Sequence, residues 1–341
     1  MSRTTRTTRT ARLTGASLGL LLIPALLAGC SGSDDPPAEG TETIRLGVMV
    51  DSPAAYAAAY GTAEGIWAKH GLTVDSSTFS MGIETLDAIA LGQKDLGGAA
   101  DFAAVNRFGG AADNQLRLFA VETTSKVNAW AFWAKDDSVD ALTDLEGQKV
   151  VTQLGTVVEY WLAVALTDAG VDLDSVEFVP ADSPMAAVAL LQNGSASAAI
   201  LNAVASKEAA NIDGAHEFAT FDGLLPPTLS LGIASASYLA DHADAVQKYL
   251  EAQGEIFAAF EADPDAAAAV IAEELNAPVD PIAVNIKNTN FHLDLTPAEV
   301  GTMKSIYQWG VDNGKVKNEY DLDDYIVAGP LKAAAPDKVT Y

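Results

Sequence analysis

The feature that most constrains the fold is a strand–loop–helix unit at residues 143–169. Its sequence predicts a short strand at residues 149–153, a loop around Gly155 and an amphipathic helix from about Val157. A strand that runs through a glycine loop into a helix leaves backbone N–H groups pointing beyond the strand end, where open α/β sheets bind ligands. This unit is therefore a candidate wall of a binding site.

Strands and helices alternate along most of the chain, as at residues 44–100, where Ser52 and Pro53 predict the N-cap and first residue of a helix at 54–70. From residue 235 onward the pattern is mostly helical and predicts no further strand. This order favours an α/β fold with parallel sheets covered by helices. Polar joints at 123–127 and 222–227 predict two lobes, one at residues 43–125 with 228–341 and the other at 126–227. A repeated order of apolar helix, glycine stop and small-residue strand, at 86–100 and again at 187–200, favours two similar lobes.

The N-terminal segment predicts export. Four arginines without an acidic residue precede an apolar run at 16–28, which describes a signal peptide over residues 1–29. The sequence Leu-Ala-Gly-Cys at 27–30 is similar to the lipobox of bacterial lipoproteins, which implies cleavage before Cys30 and lipidation of its sulfur. Residues 30–42 then form the lipidated cysteine and a flexible tether. Cys30 is the only cysteine, so an intramolecular disulfide is excluded.

Charge and histidine spacing exclude several functions. Without the four arginines of the leader, 16 basic residues stand against 46 acidic ones, a net charge of −30. Nucleic acid and anionic membrane surfaces would repel such a domain. The four histidines are scattered and lack the spacing of metal-binding motifs, so we expect no metal, no cofactor and no catalytic residue.

Several segments carry a resemblance to a known family. They are Ala-Glu-Gly-Ile-Trp-Ala-Lys-His-Gly-Leu-Thr-Val at 63–74, Asp-Leu-Glu-Gly-Gln-Lys-Val at 144–150, Gly-Thr at 155–156, the unit at 187–199 and the pattern at 238–267. In the unit at 187–199, Ser197 stands where the family usually has an acidic residue. The chain thus resembles the type II periplasmic binding proteins, in particular the nitrate, sulfonate, taurine and thiamine-precursor group. The resemblance implies a two-lobed, hinge-closing, non-catalytic binder that hands a small solute to an ABC permease and its ATPase. The lipobox fits this independently, and we expect a monomeric lipoprotein on the outer face of the bacterial cell membrane.

The resemblance also implies that ligand binds between the lobes, at the loops that follow the strands. Candidate contacts lie on both lobes and at the two joints. They are Ser52, Tyr56, Gly82 and Asp101 on the first lobe, Gly155, Thr156, Val157, Glu159, Tyr160 and Asn202 on the second, and Thr124 and Pro227 near the joints.

The nature of the ligand stays open at this stage. Asp101 and Glu159 favour a ligand with an amine or ring N–H, and Lys126 is the one basic residue placed at a joint. A zwitterion such as taurine and an aminopyrimidine both satisfy these features. Thr156 and Glu159 also have capping-box spacing, which would use N–H groups that an anion needs.

Two other functions compete with solute import. Some relatives of this group make a thiamine pyrimidine, which would make the chain an enzyme. A surface lipoprotein could instead sense the ligand for a membrane partner, and the sequence does not separate sensing from transport.

Overall fold

A computed structural model describes residues 41–108, 115–126, 130–135, 137–221, 227–316 and 318–341. The expected signal peptide, the lipidation site Cys30 and the tether up to residue 40 lie outside the described residues. Parts of the two joints, at 127 and at 222–226, lie outside them as well.

Eleven strands are described, and they form two sheets. In chain order they are β1 (Glu42–Met49), β2 (Leu72–Phe79), β3 (Leu96–Ala100), β4 (Leu116–Ser125), β5 (Trp130–Ala134), β6 (Lys149–Thr152), β7 (Glu177–Pro180), β8 (Ala198–Asn202), β9 (His216–Thr220), β10 (Leu229–Ser235) and β11 (Thr289–Asp294). The first sheet has the order β2-β1-β3-β10-β4-β11, and the second has the order β7-β6-β8-β5-β9.

Thirteen α-helices in the described residues cover these sheets. They are α1 (Pro53–Ala63), α2 (Ile66–Lys69), α3 (Gly82–Ala90), α4 (Asp101–Phe108), α5 (Val157–Asp168), α6 (Pro184–Gln192), α7 (Ala203–Ala209), α8 (Ala236–Asp241), α9 (Ala243–Ala262), α10 (Pro264–Leu275), α11 (Val279–Lys287), α12 (Pro297–Asp312) and α13 (Gly329–Ala334). Over the described ranges, no helix is both long and apolar enough to cross a membrane.

The two sheets repeat one arrangement. In each, a central strand, β1 or β6, pairs in parallel with the next two strands of its unit. The third strand of the unit, β3 or β8, then pairs antiparallel with a strand from elsewhere in the chain, β10 or β5. The predicted repeat of helix, glycine stop and small-residue strand corresponds to α3–β3 and α6–β8. The expected α/β class with two similar halves is confirmed.

Three details differ from the sequence-based predictions. The sheets are mixed, because β4, β5, β9, β10 and β11 pair antiparallel, each with strands that are not its neighbours in the chain. A strand absent from the prediction, β11, lies among the C-terminal helices and is only six residues long. The helix predicted at 54–70 is two helices, since Gly65 adopts φ +67° and ends the first.

Small residues let the helices pack closely on the first sheet. A Cβ added to Gly97 on β3 would lie 2.5 Å from Thr85 Cγ2 on α3 and 2.8 Å from the carbonyl oxygen of Gly47. The tiny-residue strand is therefore required by the close approach of α3. It brings the amino end of α3 against the carboxyl ends of β1 and β3, where Gly82 packs on Ala99 and Met49.

Candidate functional site

A cavity of about 250 Å³ lies at the carboxyl ends of β1 and β3, beside β4 and β10. The carboxyl edge of parallel strands is where ligands bind in open α/β sheets. Strand β4 leads to the first joint, and β10 follows the second. The cavity therefore lies next to both places where the chain passes from one sheet to the other. This position makes it the candidate binding site.

The amino end of α1 forms one wall of the cavity through Ser52, Pro53 and Ala54. The Ser52 hydroxyl donates to the Met49 carbonyl at 2.7 Å and accepts from the Ala55 N–H at 3.2 Å. Pro53 has no N–H, and within the described contacts the Ala54 N–H has no acceptor. Unsatisfied N–H groups and the helix dipole make this wall favourable for a negatively charged group.

Hydroxyl and amide side chains supply the polar lining, and no charged side chain is among the described residues that line the cavity. The polar residues come from α1, β4, β10, β11 and α11. They are Ser52, Thr123, Thr124, Ser125, Thr228, Ser230, Asn285 and Thr289. Such a lining can hydrogen-bond a small polar ligand while leaving its charge to be met by helix N–H groups.

Asn285 on α11 offers an acceptor to the cavity. Its amide nitrogen donates to the Asp51 carbonyl at 3.3 Å, which fixes the orientation of the side chain. Its Oδ1 is buried and has no hydrogen-bond partner within the described part of the chain. A buried acceptor without a partner is unfavourable unless a donor reaches it. Asn285 therefore favours a ligand that carries an N–H or O–H group.

The candidate residues of the first half fall into two groups. Ser52 and Thr124 line the cavity. Asp101 is buried and accepts from the N–H groups of Phe102 at 2.7 Å and Leu229 at 3.0 Å. Burial raises the pKa of Asp101 to about 6, against these two hydrogen bonds. Its carboxylate thus holds Leu229, which lines the cavity, and is already occupied by protein donors.

Tyr56 and Gly82 are not among the lining residues, although Gly82 packs against two of them. Tyr56 is 3% exposed, and burial, with a smaller effect of Asp51, raises its pKa to about 12. A Cβ on Gly82 would lie 3.1 Å from Ala99 Cβ and 3.3 Å from Met49 Sδ, and both of these residues line the cavity. A side chain at position 82 would therefore displace the cavity wall.

The glycine loop of the second half is organised by Glu159. The Gly155 N–H donates to Glu159 Oε2 at 2.7 Å, and Glu159 Oε1 forms an ion pair with Lys315. The Thr156 hydroxyl donates to the Gln153 carbonyl at 2.7 Å and accepts from the Val158 N–H at 3.2 Å. In the expected capping box Glu159 accepts from the Thr156 N–H. Here it accepts instead from the N–H of Gly155, one residue earlier.

The remaining candidates lie outside the cavity lining. Tyr160 is 7% exposed. Its ring stacks on Phe102 at 5.7 Å and meets Trp309 edge-to-face at 5.2 Å, measured between ring centroids. Val157 is half-buried, Asn202 caps α7 by accepting from the Ala205 N–H at 2.9 Å, and Pro227 is exposed. The structure therefore gathers Ser52 and Thr124 at the cavity and places the second-half candidates elsewhere.

Most of the cavity lining was absent from the sequence-based list. Thr123 and Ser125 belong to the polar run that marked the first joint, so that run was the available signal. Thr228 and Ser230 directly follow the second joint and carried a similar signal. Asn285 and Thr289 come from a distant helix and strand, and no local pattern marks them.

None of the histidines lines the cavity, although all four lie in the described residues. His70 contacts Glu255, His242 contacts Glu42, His216 contacts the Val139 carbonyl, and His292 contacts Asp294. The cavity lining thus lacks the imidazole that general-base chemistry most often uses.

Comparison with known proteins gives a family match. The model of the family described as NMT1/THI5 like matches residues 54–267, more than half of the chain. A curated relative from Brucella abortus, described as a candidate binding protein, is 24% identical over 300 residues, which cover 84% of this chain and 90% of the relative.

Solved structures share the fold. The periplasmic aliphatic sulphonate binding protein SsuA from Escherichia coli aligns with a TM-score of 0.70 and 20% identity, over 84% of this chain and 92% of that one. The alkanesulfonate-binding protein SsuA from Xanthomonas axonopodis pv. citri, bound to MOPS, aligns with a TM-score of 0.67 and 16% identity, over 85% and 99%. The desulfurization enzyme DszB, as a cysteine-to-serine mutant in complex with biphenyl-2-sulfinic acid, aligns with a TM-score of 0.65 and 15% identity. The alignment covers 86% of this chain and 99% of that one. At these identities the likeness shows the periplasmic-binding-protein fold alone.

Proposed function

Because the chain belongs to the NMT1/THI5-like family, we propose that it is the solute-binding protein of an ABC importer. It captures a small organic solute between two lobes and delivers it to a permease. The observation that carries this proposal is the neutral, hydroxyl-lined cavity beside the amino end of α1. Among the described lining residues no basic side chain accompanies the hydroxyl groups, and this lining suits the binding of a polar solute.

The lobes proposed are residues 43–125 with 228–341 and residues 126–227. The first contains the six-stranded sheet and the second contains the five-stranded sheet. The chain passes between them at the two joints next to the cavity. Closure of the second lobe would cover the cavity mouth, and Gly155 to Val157 would contact the ligand through the backbone.

For the ligand, we favour a small sulfonate that also carries an amine, as taurine does. The α1 wall and the hydroxyl groups favour a singly charged oxyanion, and Asn285 Oδ1 offers an acceptor for an N–H donor. Asp101 and Glu159 no longer argue for a cationic ligand, because their carboxylates are bonded to protein groups. An aminopyrimidine would use the acceptor but would leave the anion-favouring wall without a partner.

A thermal-shift panel tests binding. Taurine, alkanesulfonates, nitrate, amino acids and an aminopyrimidine are added to the purified protein, and any compound that binds the folded state raises the melting temperature by mass action. NMR spectra of the same samples follow the compound. We expect one stabilising class, recovered unchanged. Chemical consumption of a compound would support the competing enzyme instead, a thiamine-pyrimidine synthase or a desulfurase.

Transport and sensing differ in their membrane partner. A permease and an ATPase encoded beside this chain, with uptake of the ligand lost on deletion, support import. A signalling receptor in that position, with uptake unchanged, supports a sensor.

We also propose that the chain is exported, monomeric and anchored to the outer face of the cell membrane through Cys30. The arginines, the apolar run and the cysteine in the lipobox pattern support the anchor. Several acyl chains, at about 0.8 kcal/mol per buried CH₂, suffice for stable attachment. Cys30→Ser should move the protein from the membrane fraction to the soluble exported fraction. Retention of the variant at the membrane would contradict the anchor.

A further inference from the structure

Three metal-ligating side chains converge at the junction of β11 and α12. His292 and Asp294 are two residues apart on β11, so strand alternation places both side chains on one face of the sheet. Glu299 lies in the first turn of α12. One ligand atom of each residue lies within 4.8 Å of the other two.

The three groups are largely withdrawn from solvent. The side chains of His292, Asp294 and Glu299 are 19%, 18% and 12% exposed. His292 Nδ1 lies 2.7 Å from Asp294 Oδ1 and 3.5 Å from Glu299 Oε1. One imidazole nitrogen with two carboxylate oxygens is a donor set that suits divalent transition-metal ions better than it suits Mg²⁺ or Ca²⁺.

One oxygen of Glu299 is not used by the helix cap and faces the cluster. Its Oε2 accepts from the Thr296 N–H at 2.9 Å and from the Thr296 hydroxyl at 3.0 Å, which completes the capping box of α12. Its Oε1 faces His292. The cap therefore fixes the carboxylate in place, as hydrogen bonds to ligating carboxylates do in metal sites.

The two carboxylates lie close together, with ligand oxygens no more than 4.8 Å apart. Two ionised carboxylates at this distance repel each other, and a cation placed between them is attracted to both.

We propose that His292, Asp294 and Glu299 bind a divalent transition-metal ion of the Zn²⁺ class, with water as its fourth ligand. A tetrahedral ion with ligands at about 2.0–2.1 Å sets its ligand atoms about 3.3 Å apart. The 3.5 Å separation of His292 Nδ1 and Glu299 Oε1 fits this spacing, and the 2.7 Å separation from Asp294 Oδ1 opens by small side-chain rotations. His292 also lines a second cavity, of about 370 Å³, which gives an ion access.

The site is distinct from the proposed solute site. Thr289 at one end of β11 lines the solute cavity, and Asp294 at the other end belongs to the cluster. Five residues of strand separate them by about 16 Å. Beside the cluster, Leu295 pairs with the C-terminal segment, donating to the Lys338 carbonyl at 3.0 Å and accepting from the Thr340 N–H at 3.1 Å. An ion here would join β11 to α12, next to the strand end that the C-terminal segment pairs with.

Zinc binding to the full chain, freed of metal with a chelator, tests the proposal. We expect one Zn²⁺ per chain by calorimetry, a Zn²⁺-dependent rise in melting temperature, and slower proteolysis of the C-terminal segment. Co²⁺ should give the visible absorption of a tetrahedral site. His292→Gln and Asp294→Asn should each weaken Zn²⁺ binding at least tenfold. The two variants change packing differently, so a loss that they share is attributed to the missing ligand.

His242→Gln is the matched control, because His242 Nδ1 also lies 2.7 Å from a carboxylate, that of Glu42, in a pair that is not part of the three-residue cluster. The control should bind Zn²⁺ as the unmodified chain does. Absence of Zn²⁺ binding, or equal binding by the unmodified chain and the two cluster variants, would overturn the proposal. So would an equal loss in His242→Gln.

Discussion

The carboxylate of Glu159 on α5 is shared between the Gly155 N–H and the ammonium group of Lys315, which follows α12. The Glu159 side chain is 4% exposed and that of Lys315 is 40% exposed. This contact joins the helix after β6 of the second sheet to the segment that follows α12, which packs against α4. It assigns Glu159 a structural role in the glycine loop that first marked the binding wall.

Glu159→Gln should therefore lower stability and leave solute affinity nearly unchanged. The amide loses the charge that pairs with Lys315 and holds the Gly155 N–H, so we expect a loss of about 2 kcal/mol in the free energy of unfolding. Taurine affinity should change less than threefold. Urea unfolding and calorimetry measure the two quantities separately.

The control for this variant is Glu177→Gln. Glu177 pairs with Lys149 at 2.9 Å, but both side chains are more than half exposed. Exposed ion pairs contribute about 0–1 kcal/mol, so the control should be nearly neutral. A large loss of affinity in Glu159→Gln without a loss of stability would mean that Glu159 contacts the ligand.

Thr124→Val should weaken solute binding without unfolding the protein. Valine keeps the shape of threonine and removes the hydroxyl that lines the cavity. That hydroxyl also accepts from Asn290 at 3.2 Å, an exposed contact of little energetic weight. Loss of one hydrogen bond to a charged ligand corresponds to about 1.5–3 kcal/mol, at least tenfold in the dissociation constant.

Thr302→Val on the surface of α12 is its control, because the Thr302 hydroxyl bonds only the Ala298 carbonyl among the described contacts. It should leave the dissociation constant unchanged. Equal affinities for Thr124→Val and the unmodified chain would contradict the assignment of the cavity as the solute site.

The sequence was sufficient for the local parts of the fold. The helix starts at Ser52 and Thr156 depend on a capping side chain and its neighbours, and both are observed. The pairing of strands that are distant in the chain is less visible in the local sequence pattern. Strand β11 was missed because its six residues pair only with β4, which lies more than 160 residues earlier.

The site was less predictable than the fold. Ser52 and Thr124 could be identified because they follow strands or mark a joint. Asn285 reaches the cavity only because α11 packs beside the carboxyl end of β1, a tertiary relation without a local pattern. Conversely, Asp101 ends a strand as a ligand-binding residue would, but burial and two backbone donors make it a support.

Glu122→Gln should flatten the pH dependence of stability. Burial raises the pKa of Glu122 to about 7, above its ordinary value of 4.5. The folded state thus holds a proton that the unfolded chain releases, so this stabilisation is complete below pH 4.5 and disappears as the pH rises through 7. This pKa shift lowers the free energy of unfolding by at most about 3 kcal/mol between low and high pH.

The neutral amide of Glu122→Gln avoids this loss. We expect the variant to be more stable than the unmodified chain at pH 8 and similar to it at pH 5, measured by urea unfolding across this range. Glu274→Gln, which changes an exposed glutamate on α10, is the control for the change of net charge. Parallel pH profiles for Glu122→Gln and the unmodified chain would show that Glu122 does not titrate with folding.

Gly97→Ala should destabilise the first sheet, and Gly301→Ala should not. The added methyl group at position 97 would lie 2.5 Å from Thr85 Cγ2 and 2.8 Å from a backbone carbonyl, whereas at position 301 it meets nothing within 4 Å. Overpacking in a core lowers the free energy of unfolding by about 1–3 kcal/mol. Alanine at an exposed helical glycine raises it by about 0.5–1 kcal/mol. Because β3 and α3 border the cavity, Gly97→Ala should also weaken taurine binding. Urea unfolding measures the free energy of unfolding of both variants. Equal values for Gly97→Ala and Gly301→Ala would mean that α3 can move away from β3 without an energetic penalty.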